Sequence, residues 1–271
     1  MKLTVGLAQM NSRDNRQQNL EAAEMLIRSL AAQGAELIML PEYFHFMGPD
    51  ELKKQHAEPL LKSFWLERVA GLAHELNIHI HIGSCLEKEG ERIFNTAVVI
   101  DPHEQIIARY RKIHLFDVEV PDGKSYFESS VFSPGQDVAT FGIGDFTFGM
   151  ATCYDLRFPE MFRKLSMKGA NVLLVPAAFT LETGRDHWEI LLRARAIENL
   201  CWVAAAGQWD EAPPNYRSFG RSMVINPWGL VTAQAGDGVR GLIAELDLAI
   251  VKEIRSTFPS LSHRRSDIFP G

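Results

Sequence analysis

Short, almost wholly apolar runs alternate with longer segments of helical periodicity along this chain, and this alternation restricts the folds open to it. Residues 3–9 alternate in the manner of a strand, whereas residues 15–33 have the period of a helix. The apolar stripe of that helix comprises Leu20, Ala23, Ile27 and Leu30. Residues 36–40 form a nearly all-apolar run, typical of a strand covered on both faces. The sequence thus opens with a β-α-β unit.

The same alternation continues to the C-terminus. Further strands are predicted near residues 79–84, 95–100, 106–114, 146–152, 171–176, 201–206 and 222–226. Further helices are predicted near residues 63–76, 159–168 and 186–199, with a long polar loop at 116–136 and a last hairpin at 229–248 that leads to a helix ending before Pro259. Because several strands follow one another directly, the α/β fold must contain mixed sheets. Two stacked sheets and one large sheet both fit this pattern.

Composition narrows the class of protein. The 271 residues are 46% hydrophobic, which suffices for one large core, so we expect a single domain over residues 1–271. A formal charge of -6 without a basic run argues against nucleic acid as a partner. No apolar run approaches the ~20 residues needed to cross a bilayer, and the first residues lack the pattern of a secretory signal. We therefore expect a cytoplasmic protein without a membrane partner.

The three cysteines, Cys85, Cys153 and Cys201, are too scattered for a disulfide framework and are predicted to be free thiols. Cys85 and Cys201 lie in apolar runs and are predicted to be buried. Cys153 instead lies between an apolar strand and a helix that begins at Pro159, an arrangement that resembles a nucleophile elbow. The alternative is that Cys153 merely ends a buried strand.

A thiol of ordinary pKa is mostly protonated at neutral pH, so a nucleophilic cysteine needs a nearby base or cation. Glu42 directly follows one apolar strand, and Lys112 lies near the end of another. Each residue taken alone is typical of a solvated surface charge. Ligands, however, collect at the carboxyl ends of strands in α/β sheets, and all three residues fall at such ends.

Three segments resemble the signature motifs of the nitrilase superfamily. They are Leu40-Pro41-Glu42, Arg111-Lys112-Ile113-His114-Leu115 and the run from Cys153 to Glu160. The likeness extends to His187-Trp188-Glu189, residues 193–199 and Asn226-Pro227-Trp228-Gly229. The resemblance implies a four-layer αββα sandwich with two mixed sheets. It also implies a Glu42, Lys112, Cys153 triad and a homodimer, or a higher homo-oligomer, in which helices of two subunits face each other.

The resemblance also adds Glu128 to the catalytic residues, as an orienting or electrostatic partner of Lys112. From its loop position alone, Glu128 is typical of a solvent-facing charge. In the mechanism that these residues support, Glu42 takes the proton of Cys153, and the sulfur attacks an amide carbon. The ammonium of Lys112 and the backbone N–H of Tyr154 then stabilise the oxyanion.

No metal or cofactor is predicted. Only His79 and His81 are close together among the nine histidines, and no further ligand completes a metal site, so packing roles are favoured. The glycines of residues 142–144 lack the rest of a dinucleotide-binding loop.

The predicted substrate is a small carboxylated amide, cleaved to an acid and ammonia. Residues 115–121, Thr183-Gly184 and Arg-Arg-Ser-Asp at 264–267 resemble the branch that hydrolyses ω-amides of keto acids, including deaminated glutathione and 2-oxoglutaramate. Residues 204–208 resemble the deaminated-glutathione members, although Gly207 departs from their pattern. Hydrolysis of a nitrile, an N-carbamoyl amine or an aliphatic amide, and a silent binding module on the same fold, remain alternatives.

Five residues are candidates for contact with the substrate. Arg157 follows the nucleophile and either binds a substrate carboxylate or caps the backbone. Tyr43, beside Glu42, either forms a pocket wall together with Phe44 and Phe46 or joins them in an aromatic cluster of the core. The remaining candidates are Tyr154, Phe179 and Thr180.

Overall fold

Two mixed β-sheets form the centre of the structure, a computed structural model that describes residues 1–119 and 125–268. The first sheet has the strand order β17-β1-β2-β3-β5-β4, and β6 also pairs with β5. Its strands are β1 (Lys2–Gln9), β2 (Leu37–Met39), β3 (His79–His81), β4 (Cys85–Glu89), β5 (Arg92–Ile100), β6 (Ile106–Arg111) and β17 (Arg240–Asp247). β1 is parallel to β2 and antiparallel to β17, so the sheet is mixed.

The second sheet has the strand order β16-β15-β12-β11-β10-β9 and is also mixed. Its strands are β9 (Ala139–Ile143), β10 (Phe146–Met150), β11 (Val172–Leu174), β12 (Trp202–Ala205), β15 (Met223–Ile225) and β16 (Val231–Gln234). Two small hairpins lie outside both sheets: β7 (Asp117–Glu119) with β8 (Ser125–Phe127), and β13 (Trp209–Ala212) with β14 (Tyr216–Phe219).

The described residues form helices as well as strands. They are α1 (Arg16–Ala32), α2 (Asp50–His56), α3 (Leu66–Leu76), α4 (Pro159–Met167), α5 (Leu181–Thr183), α6 (Glu189–Asn199) and α7 (Leu248–Thr257). α1 and α3 contact the first sheet, whereas α4 and α6 contact the second. The layers therefore run helix, sheet, sheet, helix.

β2 of the first sheet is buried on both faces, and its successive side chains point to opposite sides. In β2, Leu37 and Met39 pack between the two sheets, whereas Ile38 packs under α1 and α3. This double burial explains why the strand is apolar at every position rather than at alternate positions. The expected αββα sandwich with two mixed sheets is confirmed.

Local chemistry sets the helix ends. The side chain of Asn15 accepts a hydrogen bond from the N–H of Gln18 at 3.1 Å, and this cap begins α1. Pro159 occupies the first position of α4, where its missing N–H costs nothing. α7 ends before Pro259, as predicted.

Several predicted elements need correction. The last hairpin is wrong, because β16 pairs with β15 in the second sheet while β17 pairs with β1 in the first. The segment 116–136 is not a plain loop, since it contains β7, β8 and a 3-10 turn, although residues 120–124 lie outside the described residues. The predicted features at Val120 and Pro121 lie there too. The single-domain prediction likewise extends over residues 269–271, which are not described.

Other differences concern boundaries and short elements. The strand expected to reach His114 ends at Arg111, and the helix expected from residue 186 is a π-helical turn, Gly184–Trp188, followed by α6. β4, β9, β13, β14 and α2 were not predicted. Within the described residues, no helix has the length and apolar character needed to cross a membrane.

Candidate active site

Glu42 and Lys112 follow strands of the first sheet, and each depends on a glycine that contacts the neighbouring backbone. Gly83 has a φ of +60°, and a Cβ there would lie 2.0 Å from the carbonyl oxygen of Pro41. A Cβ on Gly135 would lie 2.1 Å from the carbonyl oxygen of Arg111. Only glycine permits these approaches, which hold the chain immediately before Glu42 and Lys112.

Cys153 lies just beyond β10 of the second sheet, on a tight turn. Its φ is +49°, a left-handed conformation that a residue with a side chain rarely adopts. The N–H of Cys153 donates to the carbonyl of Pro176 at 2.9 Å, and a 3-10 helix over Cys153–Arg157 leads into α4. Among the described residues, no hydrogen bond uses the N–H of Tyr154. The turn therefore presents the sulfur and a free backbone donor at the sheet edge.

The structure brings Glu42, Lys112, Glu128 and Cys153 together, and we call these four residues, which the sequence predicts to be catalytic, the catalytic cluster. Lys112 Nζ lies 3.1 Å from Glu42 Oε1 and 2.7 Å from Glu128 Oε2. All four side chains are buried, with Glu42 and Lys112 at most 2% exposed. Charged groups this deep are stable only when they are paired, so the cluster is not a set of solvated surface charges.

Additional donors hold the two carboxylates. Asn95 Nδ2 donates to Glu42 at 2.8 Å and to Glu128 at 3.1 Å. The backbone N–H of Ala178 donates to Glu42 Oε2 at 2.8 Å, and the hydroxyl of Tyr43 donates to Glu128 Oε1 at 2.8 Å. The N–H of Phe116 donates to Glu128 Oε2 at 2.7 Å. Each carboxylate oxygen thus has a donor.

The pKa shifts of Lys112 and Glu128 indicate that both side chains stay charged. Burial by itself lowers the pKa of Lys112, but the carboxylates of Glu128 and Glu42 outweigh burial, and the pKa lies well above its usual value. Burial raises the pKa of Glu128, yet the neighbouring Lys112 ammonium brings it below the usual value. Lys112 is therefore a cation and Glu128 an anion at neutral pH.

The pKa of the Cys153 thiol is raised, whereas an activated thiolate has a lowered pKa. Burial and the negative charge of Glu42 raise its pKa well above the usual value, against a lowering effect of Lys112. The resting residue is a neutral thiol, and Glu42 is next to it as a proton acceptor. The geometry therefore favours proton transfer during attack over a preformed thiolate.

Asp155 connects the turn of Cys153 to the strand end of Lys112. Its buried carboxylate accepts hydrogen bonds from the N–H of Thr152 at 2.8 Å and from the Tyr110 hydroxyl at 2.6 Å. The N–H of His114 donates to it at 3.1 Å, and the imidazole Nδ1 of the same residue lies at 2.8 Å. One side chain thereby joins the two sheets beside the sulfur.

The catalytic cluster opens into a cavity of about 560 Å³. Its walls include Tyr43, residues 47–50, Lys53, Phe116, residues 125–128, Ser130, Phe132, Ala178 and residues 213–216. We call residues 47–53, 125–127 and 213–216 the outer wall, because they belong to short elements and turns outside the two large sheets.

A second, small cavity of about 10 Å³ also adjoins Cys153 and is lined by the remaining substrate-contact candidates. Its walls include Tyr154, Arg157, Phe179 and Thr180, and it shares Phe116, Cys153 and Tyr216 with the larger cavity. The guanidinium of Arg157 lies 5.2 Å from the ring centre of Phe179 and 3.3 Å from the imidazole Nδ1 of His187. Within the described residues, Arg157 forms no ion pair.

The other candidates have structural roles. Phe44 and Phe46 are fully buried outside the cavity walls, so of the aromatic cluster only Tyr43 lines the site. Cys85 and Cys201 are buried free thiols, as predicted. His81 is buried and accepts a hydrogen bond from Gly83 N–H, and burial lowers its pKa to about 3. No group of three metal-ligating side chains occurs in the parts of the chain that the structure describes.

Asn95, Lys53 and Asp155 are among the site residues that were missed from the sequence. Asn95 lies within an apolar strand, and Lys53 lies in a short polar helix that was not predicted at all. Asp155 was part of the Cys153 motif but was given no role. The available signal was a polar residue inside an otherwise apolar run, at Asn95, since such a residue needs a buried partner.

Comparison with known proteins agrees with this geometry. The carbon-nitrogen hydrolase family model matches residues 4–256. A deaminated glutathione amidase from Synechocystis is 42% identical over 261 residues, covering 94% of this chain and 96% of that protein. The omega-amidase of Homo sapiens is 34% identical, covering 98% of this chain and 96% of that protein.

A solved structure extends this agreement to the fold. The NitFhit protein of C. elegans superposes with a TM-score of 0.91 at 36% identity, covering 98% of this chain and 66% of that longer chain. The chain belongs to the carbon-nitrogen hydrolase family. It is a hydrolase of carbon–nitrogen bonds with amidase function, as predicted.

Proposed function

We propose that the protein hydrolyses a small carboxylated amide of the deaminated-glutathione type through a thioester on Cys153. The observation that carries this proposal is the contact between Lys112 and both carboxylates beside the sulfur. A buried cation, a buried proton acceptor and a thiol are the three groups that acyl transfer requires.

In the acylation step, Glu42 takes the proton of Cys153 as the sulfur attacks the amide carbon. The carbonyl electron pair moves to oxygen, where the Lys112 ammonium and the free N–H of Tyr154 stabilise the charge. Glu42 then protonates the leaving nitrogen, the carbon–nitrogen bond breaks, and a thioester remains. Glu128 keeps Lys112 charged and oriented.

In the second step, Glu42 takes a proton from water, which attacks the thioester carbon. The carbon–sulfur bond breaks and Cys153 regains a proton from Glu42, so the acid leaves and the site returns to its initial state. The same residue serves as base and acid in both halves of the cycle.

Arg157 is our candidate for binding the carboxylate of the acyl group, with Tyr154, Phe179 and Thr180 as walls around it. A guanidinium without an ion-pair partner among the described residues, beside the nucleophile, suits a planar carboxylate. Its contact with His187 leaves most of its N–H donors available.

The expected product needs one chemical refinement. In 2-oxoglutaramate the reacting amide is primary, and its nitrogen leaves as ammonia. In deaminated glutathione the corresponding amide nitrogen belongs to cysteinylglycine, so the leaving group is that dipeptide. Both substrates share the same acyl group and give 2-oxoglutarate. The prediction of ammonia therefore holds for the first substrate only.

The test is a substrate panel of deaminated glutathione, 2-oxoglutaramate, an N-carbamoyl amine and a nitrile, with Cys153→Ala as control. We expect 2-oxoglutarate from the first two substrates, together with cysteinylglycine or ammonia, and no product from the variant. Carbon dioxide from the carbamoyl compound would favour that alternative. Turnover of none of the four would contradict the proposal and favour a silent binding module.

We also propose a homodimer, in a cytoplasmic setting, formed through α6. Ile190 and Ile197 are exposed on this helix, and Trp228 and Phe258 are exposed near it. Apolar side chains grouped in this way are typical of a protein interface. Sedimentation should show a dimer that Ile190→Glu weakens and that Met25→Glu, on the opposite helical layer, leaves intact. A monomeric wild type would contradict this proposal.

A further inference from the structure

The larger cavity contains a cation that the proposed chemistry does not use. Lys53 of α2 lines this cavity together with Cys153. Its side chain is only 18% exposed, and Nζ lies 5.4 Å from the ring centre of Tyr43. The hydroxyl of Tyr43 donates in turn to Glu128. Lys53 is therefore one aromatic ring away from the catalytic cluster.

The charges of the cavity give Lys53 a distinct position. Among the described residues, the charged side chains in the walls are Glu42, Asp50, Lys53, Lys112 and Glu128. Lys112 is enclosed by two carboxylates and is committed to the reaction. Among the described residues, the one ion-pair partner of Lys53 is Asp50, at 2.9 Å, and that carboxylate is 53% exposed. An ammonium has three donors, so two remain for a ligand.

An anion in this cavity would otherwise meet a net negative wall. Among the described wall residues the acidic groups outnumber the basic ones, and repulsion in a partly desolvated site is stronger than in water. A substrate with a neutral leaving group avoids this repulsion. A leaving group that ends in a carboxylate does not, and of the described wall residues Lys53 is the cation that can pair with it.

We infer that Lys53 is a specificity-determining residue that binds a carboxylate on the leaving amine of the substrate. This inference rests on the proposed function and deepens it, because it separates the two candidate substrates. The cysteinylglycine part of deaminated glutathione ends in a carboxylate, about two residues or ~7 Å from the reacting nitrogen when extended. The ammonia that leaves 2-oxoglutaramate carries none. Arg157 serves the acyl carboxylate, which both substrates share.

The test compares Lys53→Gln with the wild type on three substrates: deaminated glutathione, its C-terminal glycinamide form and 2-oxoglutaramate. For deaminated glutathione we expect KM to rise about tenfold with kcat nearly unchanged, since the lost contact is the same in the ground and transition states. The other two substrates lack the carboxylate, and their KM should change less than twofold.

Two further variants sharpen the test. Lys54→Gln is the matched control, because Lys54 pairs with Glu51 on the same helix and does not line the cavity. It should behave as the wild type. Asp50→Asn removes the competing carboxylate and should lower KM for deaminated glutathione alone.

The outcomes separate the inference from the proposed function. A wild type that cleaves both natural substrates, with Lys53→Gln affecting all three equally or none, would overturn the inference alone. A wild type that cleaves neither would overturn the proposed function, and the inference would fall with it. A KM increase confined to deaminated glutathione supports both.

Discussion

The catalytic cluster and the outer wall of the cavity differ in how completely their side chains are held. Each carboxylate oxygen of Glu42 and Glu128 accepts a hydrogen bond from the protein, and both side chains are at most 6% exposed. In the outer wall, Lys53 has one ion-pair partner among the described residues, and that carboxylate is half exposed. The cluster is therefore preorganised for one reaction, whereas the outer wall leaves donors for the substrate.

The elements that carry the two regions explain this difference. The cluster follows strands of the two central sheets and is joined by Asp155. The outer wall includes a helix without a buried residue, α2, and the turn between β13 and β14. Changes in the cluster should therefore alter kcat, and changes in the outer wall should alter KM.

The largest effect is expected for Glu42→Gln. Loss of the proton acceptor should lower kcat about 10²–10⁴-fold. Alkylation of Cys153 by iodoacetamide should also become slower, because the buried thiol keeps its raised pKa and loses the group that takes its proton during attack. Labelling of Cys153→Ala gives the background. Faster alkylation in Glu42→Gln would contradict the role of Glu42 as proton acceptor.

Slow alkylation of wild-type Cys153 by iodoacetamide does not by itself indicate a silent binding module. From the sequence, a thiol no more reactive than a model thiol would favour a silent binding module. The raised pKa of Cys153 predicts slow labelling of an active enzyme as well. Turnover, and not labelling, therefore decides between the two.

The second-largest effect is expected for Lys112→Ala. Loss of an oxyanion donor should lower kcat about 10²–10³-fold. The variant also leaves two buried carboxylates without their cation, which should cost about 3–5 kcal/mol in the free energy of unfolding. We therefore expect a folded but less stable protein in urea titrations. Lys54→Ala serves as the surface control. High activity in Lys112→Ala would rule out its role.

The free energy of unfolding should depend on pH because two histidines are buried in the interior rather than in the outer wall. Burial lowers the pKa of His45 and of His81 to about 3, so both are neutral when folded. The unfolded chain binds their protons below about pH 6.5, so stability is present above that pH and is lost as pH falls towards 3. Each should contribute up to about 1.4 kcal/mol per pH unit to the slope.

Urea unfolding between pH 7.5 and pH 4.5 measures that slope. His45→Asn should flatten it, because the variant removes a group whose pKa is lowered by burial. Equal slopes for the wild type and His45→Asn would show that the buried imidazole takes up a proton without unfolding.

Asn95→Ala should have a smaller effect on catalysis. It removes a donor that both carboxylates share, but Lys112 and backbone N–H groups remain. A hydrogen bond to a charged group contributes about 1.5–3 kcal/mol, so we expect kcat to fall about tenfold. Unchanged KM for 2-oxoglutaramate would agree with a positioning role. A change in KM alone would instead indicate contact with the substrate.

Tyr216→Phe is expected to have the smallest effect. The Tyr216 hydroxyl donates to the carbonyl of Ala178, and its ring lines both cavities. The variant keeps the ring and loses one hydrogen bond, so kcat should change less than threefold while KM changes measurably. A decrease in kcat as large as that expected for Asn95→Ala would contradict the distinction between the catalytic cluster and the outer wall.

The fold was predictable where local periodicity carried the information. The double burial of β2 appears as an all-apolar run, and the cap at Asn15 and Pro159 mark helix starts. The error at β16 and β17 has a clear cause. Two short strands joined by a glycine-containing turn look like a hairpin, yet β17 pairs along its length with β1, more than 200 residues earlier. Local pattern does not specify a partner that far away.

The sequence by itself determined the strand and helix periods and the motifs around Glu42, Lys112 and Cys153. Only the tertiary structure decided how they meet, since Glu42 and Lys112 are 70 residues apart and Glu42 and Ala178 are 136 apart. It also revealed Asn95, Asp155 and Lys53, whose roles depend on which groups face them. The physical reason is that strand and helix formation follow from adjacent residues, whereas charge pairing and burial follow from packing between distant ones.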